Sequence, residues 1–249
     1  MLRRPLSLLL LFLGIILPAF AIPAAADTLL TLRNHVDAFQ VAGESQPAKD
    51  TDIRIWATSG KLRRDEGDTT AILRLDRNKL YVIRHQDKTY SELTLPVDFV
   101  RLMPKGSEQA GAVWAQQMKL TVQLQPTNET RTVGTWNARK AKMDITNATG
   151  MKIASTLWLS KDVPGWTELN RLAATMAALQ PGSAAWVSAL EGLEGFPVLR
   201  EERVEAMGAR FGTREELVTV ETRDANPGAY EPPAGYKEAP FNPLQGLGE

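Results

Sequence analysis

Met118-Lys-Leu-Thr-Val-Gln-Leu-Gln125 alternates apolar and polar residues without a break. Period two sends successive side chains to opposite faces of a β-strand, so one face of this strand is buried and the other faces water. Antiparallel sheets commonly bury only one of their faces. The segment therefore predicts one strand of an antiparallel sheet with a single buried face.

The same alternation extends on both sides of this segment. Turn-rich tetrads at 76–79 and 85–88 have the length of hairpin connections, and segments 147–150 and 208–212 join later pairs of strands. The predicted strands are 53–56, 71–75, 80–83, 89–93, 140–145, 152–159, 198–207 and 215–223. We predict a mainly β fold that is built on a curved antiparallel sheet.

Two stretches have helical periodicity. In the stronger one, apolar residues recur from Trp166 to Leu179, Pro181-Gly182 ends the run, and Ser183 stands where it could cap a second helix that continues to Leu193. A weaker pair is predicted at 97–102 and 108–117. Amphipathic helices need an apolar surface to cover, so we expect them to be lids over the concave face of the sheet.

The N-terminus has the pattern of an export signal. Arg3 and Arg4 precede an apolar run at 6–20, and Ala24-Ala-Ala26 offers small residues for cleavage. We predict a signal peptide at 1–26 that is cleaved after Ala26, and hence a periplasmic protein with no transmembrane anchor. A single β-rich domain is expected at 27–237, followed by an irregular tail at 238–249.

Composition narrows the function classes. The chain has 29 basic and 29 acidic residues, so nothing indicates a nucleic-acid partner. It has no cysteine, which excludes a thiol nucleophile, a disulfide and a lipidated cysteine anchor. The two histidines, His35 and His85, lack the spaced partners of a metal or acid–base site. We predict no enzyme activity, no cofactor and no metal.

Charged runs at 61–66 and 200–203 have strand spacing. Mixed charges in this pattern favour cross-strand ion pairs on a solvated face. The alternative, in which Arg63 and Arg64 bind an anionic headgroup, stays open.

Tryptophans carry the strongest hint of a ligand site. They occur both in predicted strands and in predicted helices, and they could either pack the core or line an apolar groove between sheet and lids. Periodicity does not decide between these two. The candidate cavity-lining residues are Trp56, Trp114, Trp158, Trp166 and Trp186.

Several short motifs resemble an uncharacterised exported bacterial domain family, which is similar to the periplasmic lipoprotein carriers and outer-membrane lipoprotein receptors of the Lol pathway (LolA/LolB-like). The first half carries Ile53-Arg-Ile-Trp-Ala-Thr-Ser-Gly-Lys-Leu-Arg63-Arg64-Asp65, 71–76, Lys79-Leu-Tyr81-Val-Ile83 and Lys88-Thr-Tyr90. The second half carries Gly134-Thr-Trp136 through Lys142, Leu157-Trp158-Leu159-Ser-Lys-Asp162, Gly195-Phe-Pro197-Val-Leu199 and Pro232-Pro-Ala-Gly-Tyr236.

The resemblance implies an unclosed barrel plugged by helices, with an apolar cavity able to hold acyl chains. No individual site residue is carried across from the carriers. The sequence thus favours a monomeric, non-enzymatic periplasmic binding or carrier protein for acyl chains, lipid or lipoprotein. The alternative is a structural or protein-interaction module of the cell envelope, with a filled core, no ligand and an envelope protein as partner.

Overall fold

One long sheet organises the chain. The structure is a computed structural model that describes residues 26–97, 102, 108–178 and 182–241. The strands are β1 (Thr28–Val36), β2 (Phe39–Val41), β3 (Glu44–Gln46), β4 (Lys49–Thr58), β5 (Lys61–Glu66), β6 (Thr69–Arg74), β7 (Lys79–Arg84), β8 (Thr89–Thr94), β9 (Leu120–Val133), β10 (Trp136–Asn147), β11 (Lys152–Ser160), β12 (Phe196–Ala206), β13 (Ala209–Thr222) and β14 (Lys237–Glu238). The helices are α1 (Glu108–Gln117), α2 (Trp166–Ala177) and α3 (Ala184–Glu191).

Twelve strands form the sheet, in the order β14-β8-β7-β6-β5-β4-β1-β13-β12-β11-β10-β9. Every pair is antiparallel except β14 with β8. The sheet is curved and does not close into a barrel, so the predicted fold class is confirmed. β2 and β3 form a separate hairpin.

The sheet has an inner face, covered by α2 and α3, and an outer face. Leu32 of β1 and Leu172 of α2 belong to one buried cluster, and Ile145 of β10 and Ala189 of α3 belong to another. Directly paired residues on neighbouring strands lie on the same face of a sheet. The strand pairings between β1 and β10 therefore place both clusters on one face. The helical lids therefore cover one face, as their amphipathic pattern predicts.

The sheet curls toward its inner face. Arg64 of β5 and Glu215 of β13 lie three strand spacings apart, about 14 Å in a flat sheet. Their charged groups nevertheless approach to 3.9 Å. This ion pair bridges β4 and β1 and shows that the inner face is concave.

Helices α2 and α3 form the predicted helical hairpin. The amide of Asn170, buried in α2, donates to the carbonyl oxygen of Gly195 at 3.0 Å, which ties α2 to the start of β12. The predicted cap on α3 is corrected: Ser183 precedes the helix, but its side chain makes no capping hydrogen bond. Ser183 is buried, and its ψ of 1° departs from the extended backbone of a typical cap.

Residues 224–241 form a strap across the outer face. Tyr230 and Tyr236 pack on a small cluster formed by Ile72, Tyr81 and Ile83. The strap then adds β14 to the edge of the sheet, where the amide of Ala239 donates to the carbonyl oxygen of Tyr90 at 2.8 Å. The chain as far as Ala239 is thus bonded to the sheet edge.

Several strands are longer than predicted: β4 is Lys49–Thr58 instead of 53–56, and β10 is Trp136–Asn147 instead of 140–145. β13 begins at Ala209, so the connection after β12 is a two-residue turn instead of the predicted segment 208–212. Both residues of this turn, Met207 and Gly208, have positive φ, which suits a tight hairpin. The predicted signal peptide, most of the predicted helix at 97–102 and residues 242–249 lie outside the described residues, and the division into domains stays a prediction.

Candidate ligand-binding site

A pocket of about 560 Å³ lies near the β9 edge of the sheet. Strands β9, β10 and β11 form one wall, and residues 192–194, which follow α3, form the opposite wall. The volume falls within the range of about 300–1,000 Å³ that is typical of small-molecule sites. The pocket is therefore large enough for an organic ligand.

The floor of the pocket is apolar because strand register brings inner-face residues together. Leu124 pairs with Met143, Pro126 with Ala141, and Leu159 with Arg139. Met143 and Ala141 are buried under α3, so their partners on neighbouring strands share the inner face. The apolar lining residues are Leu124, Pro126, Ala138, Ala141, Leu159 and Leu193.

A bulge in the hairpin of β9 and β10 widens this region. The register shifts between Arg139 and Ala141, so residues 127–129 stand opposite Lys140 alone. The hydroxyl of Thr127 donates to the carbonyl oxygen of Lys140 at 3.0 Å and stabilises the bulge. Bulges bend strands and redirect side chains, and here the far end of the hairpin becomes part of the pocket wall.

Charged groups surround the apolar floor. Lys161 donates to Glu194 at 2.8 Å, and the backbone and side-chain amides of Asn137 both donate to Asp162 at 3.1 Å. Lys161, and to a lesser extent Arg139, holds the pKa of Glu194 below its usual value. Arg139 is exposed, and its guanidinium has no hydrogen bond or ion pair with any other described residue.

Two further cations of the pocket lining, Arg131 and Lys140, stack on Trp158 on the outer face of the sheet. The guanidinium of Arg131 lies 3.9 Å from the ring centre of Trp158, and the ammonium group of Lys140 lies 5.9 Å from it. Lys140 also pairs with Glu129 at 2.8 Å. The ring is nearly fully buried, so these long side chains cover its surface and hold β9, β10 and β11 together.

A second cleft, of about 670 Å³, lies on the outer face beside the strap. Trp56 lines it, with the guanidinium of Arg223 at 5.5 Å from its ring centre. Arg63, also in the lining, donates to Asp65 and to the carbonyl oxygen of Ala229. Charged and polar residues predominate here, so this cleft fits an apolar ligand less well than the pocket on the inner face.

An ionic network occupies the concave inner face between the two halves of the sheet. Arg200 pairs with Glu215 at 3.2 Å and with Glu202 at 3.7 Å, and Arg64 pairs with Glu66 at 2.8 Å. Burial disfavours the charge on Arg200, but Glu215 and Glu202 outweigh it and raise its pKa. The network neutralises charges that the curvature brings together.

The two charged runs therefore only partly match their sequence interpretation. Arg214 and Glu201 form the expected cross-strand pair at 2.9 Å. Arg63 and Arg64 instead pair with carboxylates two residues along their own strand, at 2.9 and 2.8 Å. Because residues two apart share a face, the in-strand partners occupy both arginines, which weakens the alternative that they bind a headgroup.

The five candidate tryptophans occupy separate places. Trp56 lines the outer-face cleft, Trp158 is buried under Arg131, and the side chain of Trp114, in α1, lies outside what the structure describes. Trp166 packs on the cluster that contains Leu172, and Trp186 packs on the one that contains Ala189. Trp56 and Trp186 thus lie on opposite faces of the sheet.

The sequence interpretation missed Arg139 and Lys161. A signal for Arg139 exists, since alternation along β10 puts it on the side of Ala141 and Met143, where a charge is unexpected. Lys161 follows the end of β11, and only the fold brings it to residues 192–194.

Both histidines have polar partners. His35 lies 2.9 Å from Asp50 and 3.3 Å from Asp37, and the hydrogen bond with Asp50 raises its pKa. His85 contacts Thr70 at 2.9 Å and the hydroxyl of Tyr236 at 2.8 Å. Within the described ranges, no group of three or more histidine or acidic side chains is placed to hold a metal ion.

One protein-family model matches part of the chain. Residues 140–236 match DUF4412, a domain of unknown function. This result confirms the resemblance to an uncharacterised domain family that the motifs indicate. The DUF4412 match covers less than half of the chain, and it includes β11, α2, α3 and the pocket residues Leu159, Lys161 and Leu193. No curated protein matches the sequence.

Three solved structures show distant likeness. Two structures of PNGF-II, in space groups C2 and P21, are 12% and 13% identical, cover 88% and 86% of this chain, and have TM-scores of 0.43 and 0.39. The chain spans about a third (32%) of the length of each PNGF-II chain. A putative outer membrane lipoprotein-sorting protein domain from Vibrio parahaemolyticus is 6% identical over 82% of this chain and 89% of its own, with a TM-score of 0.30.

No helix in the described part of the chain combines the length and the apolar character that crossing a membrane requires.

Proposed function

We propose that the protein is a non-enzymatic periplasmic binding or carrier protein, and that its inner-face pocket holds the apolar part of a lipid, an acyl chain or a lipoprotein. The observation that carries this proposal is the apolar floor of the pocket, formed by Leu124, Ala141 and Leu159 and partly covered by Leu193. An apolar floor with a few polar groups at the rim is the usual composition of sites for hydrophobic ligands. Burying the ligand there removes its apolar surface from water.

Binding of an apolar probe tests this proposal. We expect the chain from residue 27 onward to bind a fluorescent fatty-acid analogue, and Leu124→Gln to weaken binding about tenfold, because a polar amide replaces part of the floor. The measurement is a fluorescence titration, accompanied by native mass spectrometry of protein purified without detergent.

Thr121→Gln is the matched control. Thr121 is an exposed residue of the same strand. It lies three positions before Leu124, and side chains alternate along a strand, so the two residues are on opposite faces. The affinity of Thr121→Gln for the fatty-acid analogue should equal that of the wild type. Absence of probe binding to the wild type, or an equal loss in both variants, would refute the proposal.

An interaction module of the cell envelope is a second candidate, favoured by the edge strand β9. This strand has 14 residues, and within the described part of the chain it pairs on one side only, with β10. An unpaired edge can accept a strand from another protein. Pro126 and the bulge at 127–129 limit the regular part of the edge to Leu120–Gln125.

Site-specific crosslinking distinguishes the two candidates. A photoreactive residue at Gln123, in the regular part of the edge, should trap one specific envelope protein if β9 is an interface. The same residue at Gln86, in the turn after β7, should not. Equal labelling of bulk periplasmic proteins from both positions would count against the interaction module.

A further inference from the structure

We propose that the inner-face pocket selects a single-chain amphiphile with an anionic headgroup, and that Arg139 contacts that headgroup while the chain lies on the apolar floor. This inference rests on the proposed function, since it names the class of ligand that the same pocket accepts.

The other cations at the rim of the pocket already have partners, which leaves Arg139 to contact the headgroup. Lys161 is paired with Glu194 at 2.8 Å, and Lys140 is paired with Glu129 at the same distance. Arg131 is stacked on Trp158. Among the described residues, the rim carboxylate Glu194 is hydrogen-bonded to Lys161 and interacts with Arg139 only through longer-range attraction, so the guanidinium of Arg139 has donors available for a ligand.

The position of Arg139 connects this charge to the apolar floor. Arg139 is the direct cross-strand partner of Leu159 and of Thr130, so all three side chains share the inner face. Residues directly opposite each other in an antiparallel pair have Cβ atoms about 5 Å apart. A ligand that pairs its headgroup with Arg139 therefore places its first methylene groups beside Leu159.

The floor continues away from Arg139 in one direction. Ala141 follows two residues along β10, and Pro126 and Leu124 are its neighbours on β9. This apolar strip spans β9 to β11, about 10 Å across, which suits one acyl chain better than a bundle of several. Guanidinium groups bind carboxylate and phosphate in the same two-pronged geometry, so either headgroup fits the site.

Neutral and anionic ligands of equal chain length test the inference. The probes are dodecanoate, dodecyl phosphate and dodecanol, each titrated below its micelle concentration against the chain from residue 27 onward, with inorganic phosphate as a further competitor. We expect the two anionic probes to bind about tenfold more tightly than dodecanol, and added salt to reduce this preference. Inorganic phosphate should not displace them, because it has no apolar chain.

Arg139→Gln should abolish the preference for the anionic probes, and Arg139→Glu should reverse it. Arg210→Gln is the control, because Arg210 is an exposed arginine of β13, far along the sheet, and pairs with Glu205 at 3.4 Å.

Equal binding of anionic and neutral probes, or a preference that survives Arg139→Gln, overturns the inference and leaves the proposed function intact. Displacement by inorganic phosphate alone also overturns it, since the site would then recognise a free anion. Failure of all three chain-bearing probes to bind refutes both the inference and the proposed function.

Discussion

Gly195→Ala is expected to lower the free energy of unfolding by about 3 kcal/mol. Gly195 has a φ of +132°, in a region that side-chain-bearing residues rarely adopt. A Cβ atom added there would lie 2.9 Å from the carbonyl carbon and oxygen of Ser160. Ser160 is fully buried at the end of β11, so its backbone cannot move away without disturbing the sheet.

The packing around Gly195 adds to this cost. Its carbonyl oxygen accepts the hydrogen bond from Asn170, and the chain leads directly from Gly195 into Phe196 at the start of β12. Moving Gly195 to relieve the contact with Ser160 would therefore strain the connection between α2 and the sheet. Because Leu193 and Glu194 precede it, the same displacement would deform one wall of the pocket.

Gly67→Ala is the control that measures the cost of backbone strain without a close contact such as the one between Gly195 and Ser160. Gly67 also has a positive φ, +52°, but nothing lies within 4 Å of the added Cβ. The expected loss there is about 1 kcal/mol, from the left-handed backbone alone. Urea unfolding followed by tryptophan fluorescence measures both variants. If both lost the same stability, the close approach of Gly195 to Ser160 would make no contribution.

Local patterns predict the strands and lids of this fold well. The alternation in 118–125 and the helical spacing from Trp166 onward depend on neighbouring residues only, and tertiary packing uses the buried faces that they define. The hairpin tetrads also fall where predicted, because turn chemistry is local.

The candidate site is harder to predict because it depends on register and on distant segments. Trp56 lies on the outer face since it is the cross-strand partner of Arg63, whereas its neighbour Ile55 packs on the inner-face core. A shift of one residue would exchange these faces, and the sequence pattern of an isolated strand does not fix its absolute orientation. The pocket combines β9, β10 and β11 with residues 192–194, which only the helical hairpin brings together.

The contacts of the strap are also hard to predict from the sequence, because they join distant segments. Tyr230 and Glu231 contact Arg74, which lies about 150 residues earlier in the chain. The prolines and glycines of this segment carry no information on what the segment covers. The contacts of Arg74 therefore provide the strongest test of how the strap is held.

Arg74→Ala is expected to destabilise the protein by about 3 kcal/mol and to release the strap. Arg74 is only 5% exposed, and its guanidinium donates to both carboxylate oxygens of Asp76 at 2.8 Å. It also donates to the carbonyl oxygen of Tyr230 at 3.2 Å and pairs with Glu231. Its removal leaves a cavity under the strap and takes away the cation that these acceptors share.

Arg77→Ala is the matched control for this substitution. Arg77 pairs with the same Glu231 at 3.0 Å, but half of its side chain is exposed. Exposed ion pairs contribute about 1 kcal/mol or less, so Arg77→Ala should leave the strap in place. Hydrogen exchange at the amide of Ala239, which bonds to the Tyr90 carbonyl oxygen, reports whether the strap has opened. Similar exchange in the two variants would show that Arg74 does not anchor it.

The contribution of Arg74 should also depend on pH. Hydrogen bonding to Arg74 lowers the pKa of Asp76 from 3.8 to about 2. A carboxyl group whose pKa is depressed in the folded state stabilises that state fully above its unfolded pKa, and this contribution disappears as the pH falls through the folded value. The stability difference between the wild type and Arg74→Ala should therefore be constant near neutral pH and shrink between pH 3.8 and about 2. Urea unfolding of both proteins across this range measures it. A difference that stayed constant to the lowest pH would show that packing, and not the pair with Asp76, accounts for the loss, since only the ionised carboxylate can accept both hydrogen bonds from the guanidinium.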